Sequence, residues 1–277
     1  MEKNVLSEVV TVGLEHLPGL GPWILKLRMP SYPLYQKEHS LPPEINLNSN
    51  LHKLLRKFDT PTICNAIEVA QGKRGFNNFT NGTMISSSPK NPPIVGFART
   101  AKIAALEPSN EPVDIIKKRR MDYYEYMSNS RLPSLAVIED MDFPDCIGAY
   151  WGEINTSIHK SFGMAGALTN GVMRDLGDLP SGFPVIAKSI GPSHGFVHVR
   201  EINVNVDICG LKVSPGNLVH ADQHGAVVIP NEVLNKLDAS IEKLIKSEKI
   251  ILDETKKGSL NFENFSKAWE AFERSRT

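Results

Sequence analysis

Three charged side chains stand at a spacing that could serve one reaction centre: Glu153, and after twenty intervening residues Arg174 and Asp175. A carboxylate such as Glu153 can act as a general acid or base, directly or through a metal-bound water. The guanidinium of Arg174 is always charged and presents a planar fork of donors that suits a carboxylate. Asp175 offers the hard oxygen ligands that Mg²⁺ takes, often with few other protein ligands. The same residue types would also form an ordinary surface ion pair beside a helix start. The chemistry of the residues alone does not decide between a reaction centre and such an ion pair.

The elements around these residues are predicted to bring them together. Residues 135–138 and 165–169 are short apolar runs typical of buried strands, and residues 154–162 have helical spacing with Gly163 as the stop. If the two strands are parallel neighbours, the segment is a β-α-β crossover, and both strands end at the side of the sheet where the helix begins. Open α/β sheets bind their ligands at that side.

At that edge Glu153 and the first amides of the helix, those of Ile154 and Asn155, would meet Arg174 and Asp175. Amides at a helix start have no acceptor within the helix and attract an anion such as a carboxylate. The sequence therefore predicts an anion site that also holds an acid or base and a place for a hard metal ion.

The rest of the chain alternates helical and strand-like patterns, which is the signature of an α/β fold. Helices are predicted for residues 51–58, for a segment capped by Asp59 or Thr60, for residues 113–126 and for a long final helix capped by Asn231. Further strands are predicted at residues 94–98, 101–104, 183–187, 201–206, 211–213 and 226–229. We assign residues 1–50, which are rich in proline, to an N-terminal arm, residues 51–260 to the α/β domain and residues 261–277 to a C-terminal tail.

Composition argues against several classes of protein. Of the 277 residues, 31 are Lys or Arg and 31 are Asp or Glu, and this zero net charge argues against a protein built to grip nucleic-acid phosphates. The three cysteines have no CxxC spacing, so neither a disulfide framework nor a zinc site is expected. The chain contains no run of 18 apolar residues, and its first residues lack the pattern of a secretion signal. We expect a cytoplasmic protein with no membrane span.

Other short motifs accompany the Glu153 to Asp175 pattern in a fixed order. They are Gly-Phe-Ala-Arg-Thr at 96–100, Gly-Val at 171–172, Phe-Pro-Val-Ile-Ala at 183–187, Val-Ser-Pro-Gly-Asn-Leu-Val at 213–219 and Asp-Gln-His-Gly-Ala-Val-Val-Ile-Pro at 222–230. The ordered set resembles the 4-hydroxy-4-methyl-2-oxoglutarate aldolase family, which also includes proteins similar to the regulator of ribonuclease E activity. One departure is His224, where the family usually has the second Asp of an Asp-x-Asp-Gly turn.

The resemblance implies a fold, an assembly and a reaction. The fold is a compact, swivelling α/β sandwich of the ribonuclease E regulator-like kind, here with an N-terminal arm and a long C-terminal helix. The assembly is a homotrimer or hexamer with active sites between subunits. The reaction is that of a class II aldolase, a lyase that uses Mg²⁺ or Mn²⁺ to cleave a 4-hydroxy-2-oxo acid or diacid to pyruvate. Many members also decarboxylate oxaloacetate.

The resemblance also implies catalytic roles for the three charged residues. Asp175 would hold the metal, Arg174 would contact the substrate and steady the enolate, and Glu153 would lie near the water that donates the proton. These roles agree with the chemistry inferred above from the residue types.

The same resemblance places the substrate carboxylate at Gly152 and at the amides of Ile154 and Asn155. A motif around Glu248 is similar to the extended tail of the aldolase-active members, in which a tail Glu reaches the metal-bound waters of the neighbouring subunit. Members that regulate ribonuclease commonly have a shorter tail, so this motif favours an enzyme. The alternative is a non-catalytic regulator that binds a protein or RNA partner through the same trimeric ring.

Four histidines are weaker candidates. His194 and His198, and likewise His220 and His224, have the i, i+4 spacing that binds a metal on a helix. Both pairs stand among strand-like residues, where side chains four positions apart are about 13 Å from each other, so we expect no metal site at either pair. His194 and Lys188 follow a strand end and are candidates for the wall of a substrate pocket.

A basic run at residues 117–120 precedes Tyr123, Tyr124 and Tyr126. Charge and aromatic stacking together could bind single-stranded nucleic acid. Because the net charge is zero, we interpret the run instead as the solvated face of a helix. The cysteines have no histidine at a diagnostic spacing, so we predict no thiol nucleophile.

Overall fold

Two short helices begin the part of the chain described by the computed structural model, residues 47–276. Asn48 and Asp59 each accept a hydrogen bond from an amide in the first turn of the helix that follows, as N-cap residues do. The two helices are α1 (Ser49–Leu55) and α2 (Thr60–Gln71). Both confirm the predicted helical spacing. The predicted N-terminal arm lies almost entirely outside the described residues.

The later helices are α3 (Val113–Ser128), α4 (Glu153–Ser161), α5 (Leu237–Thr255) and α6 (Phe262–Arg276), with a 3-10 turn at Asn231–Val233. The expectation that Asn231 caps the final long helix is wrong. Its side chain makes no capping hydrogen bond, the chain turns once as a 3-10 helix, and α5 begins only at Leu237. The segment assigned to the C-terminal tail contains α6, which packs against α5. No helix among residues 47–276 is long and apolar enough to cross a membrane.

Thirteen strands lie among the described residues, in three sheets. They are β1 (Ile85–Ser86), β2 (Ile94–Ala104), β3 (Ser134–Asp140), β4 (Ala149–Trp151), β5 (Ala167–Thr169), β6 (Val172–Met173), β7 (Val185–Ala187), β8 (Ser189–Ile190), β9 (His198–Ile202), β10 (Val206–Ile208), β11 (Leu211–Val213), β12 (Leu218–Asp222) and β13 (Gly225–Ile229). The main sheet has the order β1-β7-β5-β3-β2-β12-β13, with β9 also paired to β2. The strands β10 and β11 form a hairpin, and β4, β6 and β8 form a small parallel sheet.

The predicted β-α-β crossover is confirmed. Strands β3 and β5 are parallel neighbours, with Ala136 opposite Ala167, and α4 lies between them in the chain. The strand β2 runs parallel to β3 on its other side. The crossover is longer than predicted, because β4 precedes α4 and forms part of the small sheet.

The centre of the main sheet is buried on both faces, as parallel strands of α/β folds commonly are. Alternate residues of β3 show this: Leu135 and Val137 join one apolar cluster, whereas Ala136 and Ile138 join another on the opposite face. The first cluster also takes in the β10–β11 hairpin. On the opposite face, one cluster lies under α3 and β4, and a separate one lies under α1, α2 and α5. The α/β sandwich is therefore a curled sheet with two groups of helices outside it.

Two strand predictions differ from the structure. The two predicted strands at 94–98 and 101–104 form one continuous strand, β2. The single strand predicted at 201–206 is wrong, because the chain breaks at Asn203, which has a φ of 59°. That residue donates its amide hydrogen to the carbonyl of Thr100 and accepts a hydrogen bond from the Tyr126 hydroxyl. These contacts end β9 at Ile202 before β10 begins at Val206.

Candidate active site

The small parallel sheet positions the predicted site. Strands β4 and β6 pair with Trp151 opposite Met173. The residues that follow, Gly152 and Arg174, therefore leave the sheet side by side. The Arg174 amide donates a hydrogen bond of 2.9 Å to the Trp151 carbonyl, which fixes the chain at this point. The site thus lies at the ends of β4 and β6, and the expectation that it lies directly at the ends of β3 and β5 is corrected.

Asp175 joins the two sides of the site. Its Oδ2 accepts a hydrogen bond of 3.1 Å from the Glu153 amide and lies 3.5 Å from Nε of Arg174. Asp175 has a φ of 55°, in the left-handed region that Asp tolerates better than most residues. The predicted meeting of Glu153 with Arg174 and Asp175 is confirmed as geometry, although the catalytic roles of these residues stay predictions.

Gly152 allows this close approach. A Cβ at this position would lie 2.5 Å from Oδ2 of Asp175 and 2.9 Å from Nε of Arg174, far inside van der Waals contact. The φ of Gly152 is −123°, which any residue can adopt, so the requirement for glycine is one of space. The glycine also caps α4 without a side chain that could occupy the first amides.

The start of α4 faces outward at the site. Glu153 and Ile154 have exposed side chains, and Ile154 is 74% exposed. As residues of the first turn, Ile154 and Asn155 have no helical acceptor for their amides. The side chain of Asn155 is held in place: its Nδ2 donates to the carbonyl of Tyr150 at 2.7 Å, and its Oδ1 accepts from the Tyr124 hydroxyl at 2.7 Å. The amide of Asn155, rather than its side chain, is therefore the group available to an anion.

A cavity of about 650 Å³ opens beside these residues. All four predicted substrate-binding residues line it, namely Gly152, Ile154, Asn155 and Arg174. Glu153 and Asp175 do not line it, but each adjoins a lining residue in the chain. The volume is in the range of cavities that bind small molecules. The structure therefore places the predicted anion site in the wall of a cavity of suitable size.

Sequence reasoning missed other lining residues, notably Arg120 and Tyr124 on α3 and the segment from Gly195 to Val199. The interpretation of residues 117–120 as a solvated face is therefore incomplete, because Arg120 lines the cavity. The signal was present in the spacing of Ile116, Arg120 and Tyr124, which lie on one side of a helix.

The histidine and lysine candidates separate clearly. His194 lines the cavity, whereas Lys188 does not and donates instead to the carbonyl of Thr83 at 3.1 Å. His220 is buried and hydrogen-bonded to the Thr60 hydroxyl at 3.0 Å, which is a structural role. His224 contacts Asp222 at 3.2 Å. Within residues 47–276 no cluster of three or more His, Cys, Asp or Glu side chains is suited to hold a metal ion.

The cysteines are poor nucleophiles. All three are free thiols, and burial raises the pKa of each. For Cys64, burial raises the pKa to about 11, with the carboxylate of Asp222 adding to the effect. Such a thiol is protonated near neutral pH, whereas the thiolate is the reactive form.

Glu248 lies on α5, which packs against α2 and α6. The apolar residues of α5 belong to the cluster with α1 and α2, whereas Arg174 and Asp175 adjoin α4. The side chain of Glu248 is half-buried. Its expected contribution to the site of a neighbouring subunit stays a prediction.

The donor set of Asp175 fits a hydrated divalent cation. Among residues 47–276, both contacts of its carboxylate use Oδ2, which leaves Oδ1 for another ligand, and the side chain is 35% exposed. Mg²⁺ commonly binds through one or two carboxylates and keeps several waters. With one carboxylate available, the site suits an ion such as Mg²⁺ that keeps most of its waters. It suits less well a metal that needs all of its ligands from the protein.

Part of this chain is similar in sequence to a protein of Methanocaldococcus jannaschii and to one of Halalkalibacterium halodurans. "Uncharacterized protein MJ0644" of Methanocaldococcus jannaschii is 33% identical over 112 residues, which are 40% of this chain and 54% of that protein. The chain thus spans about half the length of this relative. A putative 4-hydroxy-4-methyl-2-oxoglutarate aldolase of Halalkalibacterium halodurans is 27% identical over 173 residues, 61% of this chain and 72% of that protein.

Solved structures share the fold. A crystal structure of Streptomyces coelicolor RraAS2, described as an unusual member of the RNase ES inhibitor RraA family, has a TM-score of 0.56 at 21% identity, covering 79% of this chain and 100% of that one. An uncharacterized protein from Pseudomonas syringae has a TM-score of 0.56 at 20% identity, covering 86% and 99%. The RraA-like family model, described as Aldolase/RraA, matches residues 60–228. With the fold and most of the domain matched, this chain belongs to the RraA-like family.

Proposed function

We propose that this protein is a divalent-metal-dependent lyase that cleaves a 4-hydroxy-2-oxo diacid by a retro-aldol reaction to pyruvate, and that it also decarboxylates oxaloacetate. One observation carries the proposal: Arg174 and Asp175 converge on the start of α4, across a glycine that leaves no room for a side chain. The arrangement adjoins a cavity large enough for such a substrate.

The substrate would bind by its 2-oxo acid end. The amides of Ile154 and Asn155 would accept the carboxylate, as helix starts do for anions. Arg174 would donate to the oxygen that becomes the enolate oxygen, and such preorganised donors stabilise developing charge. This oxygen is common to both reactions, since retro-aldol cleavage and loss of carbon dioxide yield the same enolate of pyruvate.

The retro-aldol reaction requires two proton transfers, one from the C4 hydroxyl and one to C3. The C3–C4 bond breaks, C4 becomes a carbonyl as its hydroxyl loses a proton, and the bonding electrons form the enolate. The enolate then takes a proton at C3 to give pyruvate. Glu153 has an exposed carboxylate in the first turn of α4 and would exchange the protons through water.

Asp175, with Glu248 from a neighbouring subunit acting through water, would hold Mg²⁺ or Mn²⁺. When bound, the cation would act as a Lewis acid on the 2-oxo group. The orientation of Asp175 is set within this chain, by the Glu153 amide and by Arg174.

The test measures pyruvate release from oxaloacetate and from 4-hydroxy-4-methyl-2-oxoglutarate, with added Mg²⁺ and with chelator. We expect turnover that the chelator abolishes and that Asp175→Asn also abolishes, while binding of Mn²⁺, followed by its paramagnetic resonance, weakens. Asn keeps the shape of Asp and tolerates the same φ, so the fold should survive. Asp178→Asn, an exposed change three residues along the same loop, serves as the matched control and should stay active.

The metal assignment would be contradicted if the chelator did not reduce turnover, or if the Asp175→Asn variant were as active as the wild type. Absence of turnover on both substrates would instead favour the non-catalytic regulator.

A further inference from the structure

The wall of the cavity beside the site is positively charged, although the protein as a whole has no net charge. Two arginines and two histidines line it, namely Arg120, Arg174, His194 and His198, and the described lining residues include no Asp or Glu. Arg174 is accounted for by the 2-oxo acid end of the proposed substrate. Arg120 is a second permanent positive charge in the same wall, and the proposed function has not used it.

Arg120 differs from the basic residues next to it. Lys118 pairs with Asp122 at 2.7 Å, and Arg119 pairs with Glu111 through both of its terminal nitrogens. Within residues 47–276, Arg120 forms no hydrogen bond or ion pair with another side chain. Its guanidinium therefore remains available to an anionic ligand in the cavity.

The helix face that carries Arg120 is tied to the site. Ile116, Arg120 and Tyr124 are spaced four residues apart on α3, and all three line the cavity. The Tyr124 hydroxyl donates to Oδ1 of Asn155, at the start of α4. Burial raises the pKa of Tyr124 and the charge of Arg120 opposes this rise, as expected for a guanidinium close to that hydroxyl. Arg120 is thus held on the same framework that would bind the 2-oxo acid end.

We propose that Arg120 determines substrate specificity by binding the second carboxylate of the diacid. The proposal rests on the proposed function, because it needs the 2-oxo acid end to bind at Arg174 and the start of α4. A charge-assisted hydrogen bond from a guanidinium to a carboxylate is among the stronger polar contacts in proteins. A substrate that lacks this carboxylate would leave Arg120 without its partner and would bind less well.

The test uses two unreactive 2-oxo acids of equal length. One, 2-oxoglutarate, carries a second carboxylate, and the other, 2-oxopentanoate, carries a methyl group in its place. Their affinities for the full-length protein with Mg²⁺ are measured by calorimetry, for the wild type and for Arg120→Gln, Arg120→Lys and Lys117→Gln. Lys117 is exposed, lies on the same helix and is absent from the cavity wall, so Lys117→Gln is the matched control.

We expect the wild type to bind 2-oxoglutarate roughly tenfold to a hundredfold more tightly than 2-oxopentanoate. Arg120→Gln should remove this difference by weakening 2-oxoglutarate alone, and Arg120→Lys should restore part of it. Lys117→Gln should behave as the wild type. Thermal melting would show that each variant is folded.

Two results overturn the inference and are distinct from each other. If both acids bind the wild type equally, or if Arg120→Gln weakens both acids alike, the specificity role of Arg120 is refuted and the proposed function stands. If neither acid binds the wild type, the inference is refuted, and if pyruvate release from oxaloacetate and from 4-hydroxy-4-methyl-2-oxoglutarate is absent as well, the proposed function fails with it.

Discussion

Gly152 shapes the site through the space that it leaves. Its neighbours across the β4–β6 pair are the carboxylate of Asp175 and the guanidinium of Arg174, and both approach to within the volume of a methyl group. Because its φ is ordinary, the backbone can hold an alanine at this position without strain, and the added methyl group would clash only with these two side chains. Since both side chains are about one third exposed, they can swing outward into solvent.

Gly152→Ala should therefore separate activity from stability. We expect the melting temperature to change little, and the pyruvate-forming kcat/KM to fall roughly a hundredfold, because displacing catalytic groups by about 1 Å costs that much. The matched control is Gly177→Ala, in the loop after Asp175, where an added Cβ meets no atom within 4 Å. A Gly152→Ala variant with wild-type kinetics would show that the close packing has no catalytic importance.

At the scale of elements, hydrogen bonds between α3 and α4 hold the start of α4 in place. The Tyr123 hydroxyl donates to Nε2 of His159 at 2.7 Å, and Nδ1 of His159 donates to the Asn155 carbonyl at 2.6 Å. The Tyr124 hydroxyl and the Tyr150 carbonyl bind the Asn155 side chain. Two helices and β4 are therefore joined around one buried imidazole, whose protonation state matters to all of them.

The pH dependence of stability should report His159. Burial lowers the pKa of His159 to about 4 in the folded protein, against about 6.5 in an unfolded chain. Below pH 6.5 His159 binds a proton in the unfolded chain but stays neutral in the folded protein. The contribution of His159 to the unfolding free energy is therefore complete above pH 6.5 and is lost as the pH falls toward 4. Between pH 7 and pH 4.5 this loss amounts to roughly 2 to 3 kcal/mol of unfolding free energy.

Urea denaturation of His159→Gln at both pH values checks this. Gln keeps a donor and an acceptor but does not titrate, so the decrease in unfolding free energy on acidification should be smaller by about that amount. His194→Gln, at an exposed histidine, should keep the wild-type decrease. An unchanged decrease in His159→Gln would mean that other groups cause the acid sensitivity.

At the scale of the whole molecule, the helices outside the sheet form two groups. The helices α3 and α4 adjoin the cavity and the Arg174–Asp175 pair, whereas α5 and Glu248 belong with α1 and α2. A residue on α5 would reach a metal at Asp175 most simply across a contact between subunits. In a closed ring, that contact would be repeated at every interface.

Mixing two inactive variants tests a shared site. Asp175→Asn and Glu248→Gln chains, unfolded together in equal amounts and refolded, should recover roughly a quarter of wild-type activity, because half of the chains supply each intact residue. Glu242→Gln, at an exposed glutamate on the same helix, is the control and should be active alone. Mixed oligomers of verified composition that show no recovery would refute the shared site, as would a fully active monomer.

The sequence by itself determined those helices and strands that are marked by a local pattern, such as a capping residue or a run of apolar residues. Asp59 and the proline two residues after it predict the start of α2, and the apolar run around Leu135 predicts β3 as a buried strand. The spacing of Glu153 and Asp175 predicts that the turn before α4 and the chain after β5 meet. These features are local or follow from a single crossover, so no knowledge of distant partners is needed.

Only the tertiary structure decided the small sheet and the composition of the cavity. Strands β4, β6 and β8 have two or three residues each, too few to show a period of two, and they exist because they pair with one another. The place of Arg120 in the cavity wall depends on which side of α3 meets the start of α4, and the hydrogen bond from Tyr124 to Asn155 fixes that side. In both cases the cause is a contact between residues far apart in the chain, which local sequence patterns do not encode.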